Sequence, residues 1–211
     1  MAEIRGLYVI TDATLRPGRT HLDVVRAAIA GGARMVQIRD KQAPARELCR
    51  IVEQALELAR PAGVPVIVND RVDVAAAVGA DGAHVGQEDI PPQAAREILG
   101  EEAILGVSVH DEREAAEAEA ARADYFGVGA MFATTTKDGA VVRGLGQIAR
   151  IRACSNTPIV AIGGINAGNI GQVARAGADA AAVVSAVVCA EDMVAAVREL
   201  VQRWREAGGA V

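Results

Sequence analysis

Aromatic side chains are scarce in this sequence: they make up 2% of its 211 residues, whereas 51% of the residues are hydrophobic. The interior must therefore be built from small aliphatic side chains, and the chain is long enough to bury a sizeable core within one domain. Proteins that bind single-stranded nucleic acids stack bases on aromatic platforms, which so few rings cannot supply. The net charge of −5 also opposes a bulk attraction to nucleic acids or anionic membranes, so we expect neither as a partner.

Cysteines and long apolar runs are scarce as well. Cys49, Cys154 and Cys189 are odd in number and have no C-x-x-C spacing, which argues against a disulfide framework and a zinc site. We expect them to be reduced, partly buried core residues. No apolar run approaches the roughly 18 residues that span a bilayer. Residues 1–12 lack the cleavage site of a secretory signal, so the sequence predicts a soluble, cytoplasmic protein.

Short apolar runs rich in β-branched residues recur along the whole chain and predict buried strands. The predicted strands are Leu7 to Thr11, Met35 to Arg39, Val66 to Asn69, Gly82 to Val85, Ile104 to Val109, Tyr125 to Val128, Ile159 to Ile162 and Ala181 to Val184. They are too uniformly apolar for an antiparallel sheet with one wet face, which would alternate more cleanly. Buried parallel strands fit better.

Segments rich in Ala, Glu and Arg separate these strands and predict helices. The predicted helices are His21 to Ala30, Ala43 to Arg60, Asp73 to Val78, Pro92 to Leu99, Glu112 to Arg122, Gly146 to Ala153, Asn169 to Ala176 and Asp192 to Glu206. Strict alternation of strand and helix predicts a parallel sheet, and repeating units of about 26 residues predict an α/β protein with one single-domain (βα)8 TIM barrel over residues 1–211. The alternative, an open doubly wound sheet, requires a glycine-rich phosphate loop after the first strand, where Thr11 and Asp12 stand instead.

Polar residues gather at the C-terminal ends of the predicted strands, which meet at one mouth in a barrel. Gln37 and Arg39 alternate along the second strand, so both side chains point into the barrel. With Lys41 and Lys137, Arg39 predicts an anion site. The structural alternative pairs Arg39 with Asp40 or Asp70, because ion pairs also occupy such places.

Two carboxylates follow adjacent strands. Asp70 and Asp89 are hard oxygen ligands without nearby cysteine, which favours Mg²⁺ over zinc. Beside the cationic residues, they indicate a phosphate-rich substrate such as a diphosphate. The alternative is that each aspartate caps the helix that follows it.

A second phosphate site is predicted at Gly163, Gly164, Val184 and Ser185, which precede the last two helices, where barrels often hold phosphate on backbone N–H groups.

The histidines do not indicate a nucleophilic triad or dyad. We interpret His84 as an interior histidine with satisfied hydrogen bonds, and we expect His21 and His110 to face solvent or loops.

In its ordered motifs, the sequence resembles the thiamine-phosphate synthases. The matching motifs are Gln37 to Lys41 (QIRDK), Val68 to Asp73 (VNDRVD), Asp81 to Asp89 (DGAHVGQED), Gly106 to Ser108 (GVS), Gly127 to Gly129 (GVG), Thr134 to Lys137 (TTTK) and Ala161 to Ile165 (AIGGI). The resemblance covers about residues 7 to 200. It implies a barrel enzyme that joins hydroxymethylpyrimidine diphosphate to thiazole phosphate, giving thiamine phosphate and diphosphate.

The resemblance also implies roles for individual residues. The pyrimidine diphosphate would be held by Gln37, Arg39, Lys41, Asn69, Ser108 and Lys137, and the thiazole phosphate by Thr134, Thr136, Gly164, Val184 and Ser185. Ile38, Asp40 and Thr135 lie within the same motifs and complete the predicted substrate-binding set. Catalysis would rest on Arg39, Lys41, Ser108 and Lys137. Asp70 and Asp89 would bind Mg²⁺.

One departure and two alternatives accompany this resemblance. Ala133 stands where many relatives have proline, which should loosen the loop slightly, and residues 138–146 are predicted to form a mobile lid. A thiazole tautomerase of the same fold would not need the paired aspartates together with the cationic residues. A non-catalytic thiamine-phosphate-binding barrel would need the pockets but no leaving-group apparatus. Faces of the helices rich in Ala and Val suggest a homodimer.

Overall fold

The protein is an eight-stranded parallel barrel in a computed structural model that describes residues 3–134 and 141–210. The strands are β1 (Gly6–Ile10), β2 (Met35–Ile38), β3 (Val66–Asn69), β4 (Gly82–Val85), β5 (Ile104–Val109), β6 (Tyr125–Gly129), β7 (Ile159–Ile162) and β8 (Ala180–Val183). Each strand pairs with the next, and β1 pairs with β8 to close the barrel. The predicted (βα)8 barrel is therefore confirmed and the open sheet is excluded, with every strand within one residue of its predicted bounds.

Helices surround the barrel. They are α1 (His21–Gly31), α2 (Ala45–Ala59), α3 (Val72–Val78), α4 (Pro92–Leu99), α5 (Glu112–Ala120), α6 (Gly146–Arg152), α7 (Ile170–Arg175), α8 (Ser185–Val188) and α9 (Met193–Glu206). The short helix α8 was not predicted, because four residues are too few to show a helical period. The predicted start of α2 at Ala43 was two residues early, since a residue before proline, here Pro44, avoids the helical region.

Two apolar layers follow from the alternation of side chains along the strands. Inside the barrel lies a small cluster that includes Tyr8, Ile67 and Tyr125. Between barrel and helices lies the larger cluster, with residues such as Val36 and Phe126. The layers explain the composition: short strands and Ala-rich helices approach closely only when their side chains are small.

Three aspartates close the N-terminal end of the barrel by the same device. Each directly precedes an even-numbered strand and accepts a hydrogen bond from a backbone N–H of the strand before it. The contacts are Val66 N to Asp81 Oδ2 at 2.8 Å, Leu105 N to Asp124 Oδ2 at 2.7 Å and Ile159 N to Asp179 Oδ2 at 2.7 Å. These bonds fix the relative height of neighbouring strands and leave the opposite end of the barrel available for other residues.

The structure corrects one expectation about the cysteines and leaves no spanning helix in the described chain. Cys154 and Cys189 are exposed rather than core residues, and only Cys49 is half-buried. None of the helices within residues 3–134 and 141–210 combines the length and apolarity needed to cross a membrane.

Candidate active site

The end of β1 holds the cationic end of β2. Arg39 Nη1 donates to Asp12 Oδ2 at 2.6 Å, and the Asp12 side chain also accepts from the backbone N–H and hydroxyl of Thr14. Asp12 is only 5% exposed, so its carboxylate depends on these donors. The alternative pairing of Arg39 with Asp40 or Asp70 was wrong. Pairing of β1 with β2 brings Asp12 beside Arg39, and no local pattern indicated this contact.

A buried histidine, His21, holds Asp40, the residue that follows Arg39 in the sequence. His21 Nδ1 lies 2.7 Å from Thr11 Oγ1, and its Nε2 lies 3.1 Å from Asp40 Oδ2. His21 is buried and does not face solvent, but the expected loop contacts are present, because Thr11 and Asp40 lie in the loops that follow β1 and β2. Burial opposes ionisation of Asp40, but the Gln42 and Ala43 N–H groups and His21 hold its pKa below the usual range. The Asp40 carboxylate is thus engaged in shaping its own loop.

Lys41, Asp70 and Asp89 form a charged cluster at the mouth. Lys41 Nζ lies 3.4 Å from Asp70 Oδ2. Burial raises the pKa of Asp70, the adjacent Asp89 carboxyl raises it further, and Lys41 lowers it. The two predicted metal ligands therefore lie within interaction distance of each other, although the sequence placed them on different strands.

Neither aspartate caps a helix. The N-cap residues of α3 and α4 are Arg71 and Pro91, and no side chain caps either helix. Asp89 Oδ2 instead accepts from Gly86 N at 2.7 Å, which holds the loop after β4. Asp70 has a φ of 61°, a left-handed conformation that is strained for a residue with a Cβ.

The cluster fits a divalent cation held partly by substrate. Among the residues that the structure describes, no group of three or more His, Cys, Asp or Glu side chains is arranged to hold a metal. Two carboxylates brought together at the cost of a raised pKa are nevertheless the donor set that Mg²⁺ takes, because Mg²⁺ keeps several waters and binds through one or two carboxylates plus phosphate oxygens.

A chain of hydrogen bonds crosses the barrel below the mouth. Gln37 Nε2 donates to the Tyr8 hydroxyl at 2.7 Å, which lies 3.1 Å from the Tyr125 hydroxyl. The Tyr125 hydroxyl lies 3.1 Å from His84 Nδ1, and His84 Nε2 lies 2.9 Å from Ser108 Oγ. Burial raises the pKa of both tyrosines, so both hydroxyls keep their protons. The interpretation of His84 as a satisfied interior histidine is confirmed.

Three further residues from the sequence analysis, Asn69, Ile38 and His110, lie at or near the ends of β3, β2 and β5. Asn69 ends β3 and is half-buried. Ile38 is fully buried in the cluster between barrel and helices, so its predicted contact with substrate would have to come from its backbone. His110 is half-exposed and pairs with Glu114 through Nδ1 at 2.9 Å.

The second predicted phosphate site lies where β7 and β8 end. Gly163 and Gly164 have φ values of 98° and 67°. A Cβ on Gly164 would stand 2.4 Å from the Ala133 carbonyl oxygen, so only glycine fits against the loop after β6. Val184 precedes α8, and Ser185 is its exposed first residue. These positions line one side of the mouth.

Some predictions lie outside the described residues: Thr135, Thr136 and Lys137, and the part of the proposed lid at residues 138–140. Thr134, at the edge of the described chain, is half-buried. From 141 the chain is described again, and the end of the predicted lid, Gly146, is the first residue of α6.

Reasoning from the sequence missed four polar residues of this region, Tyr8, Thr11, Asp12 and Tyr125. Tyr8 and Tyr125 were predicted only as parts of the first and sixth strands. Their signal is the strand alternation itself, since both occupy inward-facing positions where a hydroxyl must find a partner.

Residues 7–187 match the family model described as thiamine monophosphate synthase. The chain is 56% identical over 198 residues to the thiamine-phosphate synthase of Chloroflexus aurantiacus, covering 92% of this chain and 90% of the relative. It is 51% identical over 195 residues to that of Moorella thermoacetica, covering 92% and 93%. Thiamine phosphate pyrophosphorylase from Pyrococcus furiosus superposes with a TM-score of 0.90 at 43% identity, covering 99% of both chains.

A more distant solved structure shares the fold alone. A 3-hexulose-6-phosphate synthase superposes with a TM-score of 0.71 at 20% identity and covers 94% of this chain. The barrel is thus common to proteins of different named activities, and the residues at the mouth must carry any functional argument.

Proposed function

The chain belongs to the thiamine monophosphate synthase family, and from this premise we propose that it joins hydroxymethylpyrimidine diphosphate to thiazole phosphate, forming thiamine phosphate and releasing diphosphate. The observation that carries the proposal is the charged cluster at one mouth. Lys41 lies beside Asp70, whose pKa is raised by burial and by the adjacent Asp89. Such a cluster suits a diphosphate leaving group with a divalent cation.

Departure of the diphosphate is the step that needs help. It leaves a positive charge on the pyrimidine methylene, which the ring's amino group stabilises, and two phosphates that must be neutralised. Arg39 and Lys41 would receive that negative charge, with Lys137 joining them from the loop after β6. Arg39 is held for this task by Asp12, which uses one guanidinium nitrogen. Its remaining N–H groups stay available for phosphate.

Asp70 and Asp89 would hold Mg²⁺, which when bound supplies positive charge to the phosphate oxygens. The chain's own contribution is to keep the two carboxylates together. Gly86 N fixes Asp89, and the left-handed backbone of Asp70 turns its side chain toward Asp89 and Lys41. No strong general base is required, because the thiazole nitrogen attacks with its own lone pair.

The pyrimidine would lie against Gln37, Asn69 and Ser108, at the ends of β2, β3 and β5. The mouth must exclude water, since water would otherwise attack the positively charged pyrimidine methylene. The thiazole phosphate would be held by Thr134, Thr136, Gly164, Val184 and Ser185, where backbone N–H groups can surround it. This gives two anion sites for two phosphorylated substrates.

Two alternatives explain less of the site. A thiazole tautomerase would leave the paired aspartates and the fixed Arg39 without a task. A thiamine-phosphate-binding barrel without activity would not need two carboxylates kept together with a raised pKa, because that arrangement disfavours the ionised pair until a cation is present.

The decisive experiment mixes both phosphorylated precursors with Mg²⁺ and the protein. We expect thiamine phosphate to form, chelation of Mg²⁺ to stop it, and Asp89→Ala to slow it severely. An inert wild-type protein would overturn the proposal. Lys137→Ala should damage use of the diphosphate substrate more than binding of the thiazole phosphate, and equal effects in titration calorimetry would contradict the role of that lysine.

The proposed substrates, location and partners follow from the same chemistry. We propose small phosphorylated molecules as substrates, a cytoplasmic location and no nucleic-acid or membrane partner, in keeping with the net charge of −5. Association as a homodimer stays a prediction that size measurement in solution would test.

A further inference from the structure

The hydrogen-bond chain through the barrel has two ends at predicted substrate-binding residues and a middle to which no role has been assigned. Its ends are Gln37 and Ser108. Its middle consists of Tyr8, Tyr125 and His84. His84 touches the charged cluster through its backbone, since its carbonyl oxygen accepts from Asp70 N at 2.8 Å. The proposed reaction does not use the side chains of these three residues.

The barrel is built around this middle. The His84 and Tyr125 rings stack with centroids 5.4 Å apart, and the Tyr8 ring meets Tyr125 edge-on at 6.0 Å. A Cβ on Gly106 would lie 2.1 Å from Tyr125 Cζ, and one on Gly127 would lie 2.8 Å from His84 Cε1. Both glycines have ordinary backbone angles, so the space that they leave for the two rings is the reason for glycine there.

The direction of the protons along the chain is fixed from the Gln37 end. Gln37 donates through Nε2, so the Tyr8 oxygen accepts. Tyr8 is almost fully buried, and its own proton must then go to the Tyr125 oxygen. By the same reasoning, the Tyr125 proton goes to His84 Nδ1. The reverse direction would leave the buried Tyr8 proton without an acceptor.

The last link follows from the chemistry of imidazole. A neutral histidine that accepts at Nδ1 carries its proton at Nε2. His84 Nε2 then donates to Ser108 Oγ at 2.9 Å, which makes the Ser108 oxygen an acceptor. A doubly protonated His84 would leave the buried Tyr125 proton without an acceptor, so the neutral ring fits the chain.

We propose that His84, set in its Nε2–H form by Tyr125, is a positioning residue that turns the Ser108 hydroxyl proton out toward an acceptor atom of the pyrimidine diphosphate. Ser108 is half-buried at the mouth end of β5, where its hydroxyl can face both inward and outward. The interior network therefore presets one donor before substrate arrives, which removes a reorientation step from catalysis. The proposal rests on the proposed function only in naming the acceptor.

A first test needs no turnover and no variant. The ¹⁵N resonances of the His84 ring, assigned through Overhauser contacts to the Tyr125 ring in the substrate-free protein, should show a protonated Nε2 and an unprotonated Nδ1. An Nδ1–H ring or a doubly protonated ring at pH 8 would overturn the proposal. This result stands whatever the enzyme's activity, so it separates failure of the inference from failure of the proposed function.

A second test asks whether Tyr125 acts through Ser108. Tyr125→Phe should lower kcat about 10-fold in the wild-type background, at the lower end of losses seen when an outer hydrogen bond that orients a site residue is removed. In a Ser108→Ala background the same change should lower kcat less than twofold. Equal losses in both backgrounds would mean a merely structural role and would overturn the proposal.

Tyr8→Phe is the matched control, because it deletes the same kind of hydroxyl one link further away. It removes the partner of Gln37 but leaves the Tyr125 proton directed at His84. Tyr8→Phe should lower kcat by the same factor in the wild-type and Ser108→Ala backgrounds, and the His84 ring should keep its Nε2–H form. Loss of that form in Tyr8→Phe would contradict the assigned proton direction. If Tyr125→Phe does not fold, the wild-type resonances alone still decide the proposal.

Discussion

The two ends of the barrel use arginine and aspartate in opposite ways. At the N-terminal end, Arg96 donates to Asp124 Oδ2 at 2.8 Å and also to the carbonyl oxygens of Gly100, Ala103 and Arg122. At the C-terminal end, Arg39 spends one nitrogen on Asp12 and is partly exposed. Arg96 therefore stabilises the fold, whereas Arg39 keeps donors for a ligand.

The aspartates at the two ends of the barrel also differ in how many partners engage their charges. Asp124 and Asp179 each accept from a strand N–H and from an arginine, so their charges are fully engaged. Asp70 and Asp89 face each other, and the pKa of Asp70 is raised by burial and by that neighbour. The mouth thus holds like charges together at a cost in stability that a bound cation would relieve.

The largest effect should come from removing the engaged arginine. Arg96 is 3% exposed, and Arg96→Met removes a buried donor from three carbonyl groups and leaves the Asp124 carboxylate with only the Leu105 N–H. We expect the free energy of unfolding to fall by about 3–5 kcal/mol, with activity per folded molecule unchanged. Denaturant titration and active-site titration measure the two quantities. A loss of stability below 1 kcal/mol would break the contrast between the two ends.

Replacing the arginine at the mouth by methionine should lower activity strongly and stability less. Arg39→Met should lower kcat about 100-fold, since it removes a preorganised cation from the leaving group. We expect the stability loss to be smaller than for Arg96→Met, because Thr14 still donates twice to Asp12. Steady-state kinetics and denaturant titration of both variants test the pair. A normal kcat in Arg39→Met would remove this arginine from the proposed site.

The charged pair predicts a pH-dependent response to Mg²⁺. A raised carboxyl pKa means that Asp70 favours the folded state below its ordinary value of 3.8 and that this contribution is lost as pH rises through the raised pKa. Above that raised pKa, Mg²⁺ at ten times its dissociation constant should stabilise the protein by about 1.4 kcal/mol.

The Mg²⁺ stabilisation should fade as pH falls through the raised pKa, because protons compete for the carboxylate. Thermal unfolding with and without Mg²⁺ across this range measures it. Asp70→Asn should abolish the shift, whereas Arg96→Met should keep it. A shift that survives in Asp70→Asn would place the cation elsewhere.

The smallest effect concerns backbone strain, which also differs between the ends. Asp70 at the mouth and Arg122 at the other end both have left-handed backbones, with φ values of 61° and 56°. Gly79 and Gly177 occupy the position equivalent to Arg122, two residues before a clamping aspartate, with φ values of 62° and 89°. Arg122→Gly should therefore raise the free energy of unfolding by about 0.5–1 kcal/mol, the relief of strain less the added chain entropy. A destabilised Arg122→Gly in thermal unfolding would contradict this account.

Local pattern was sufficient for the strands and most helices. Runs such as Val66–Asn69 and Ile104–Val109 were predicted with their bounds, because a buried strand needs continuous apolar residues between breakers. The motifs also located Asp70, Asp89, Lys41 and Ser108. Local pattern failed at α8, which has only four residues, and at His21, whose burial depends on the loops that follow β1 and β2.

Local sequence is enough to specify the alternation of eight aliphatic strands with Ala-rich helices, and therefore the barrel, because the apolar face of each unit is encoded within that unit. The pairing of charges and the direction of the interior protons depend instead on the folded barrel. Arg39 meets Asp12 because β1 and β2 pair as neighbours, and Tyr8 meets Tyr125 across 117 positions because closure of the sheet brings distant strands to the same interior. Such contacts depend on register and on the space left by Gly106 and Gly127, which no single segment of the chain encodes.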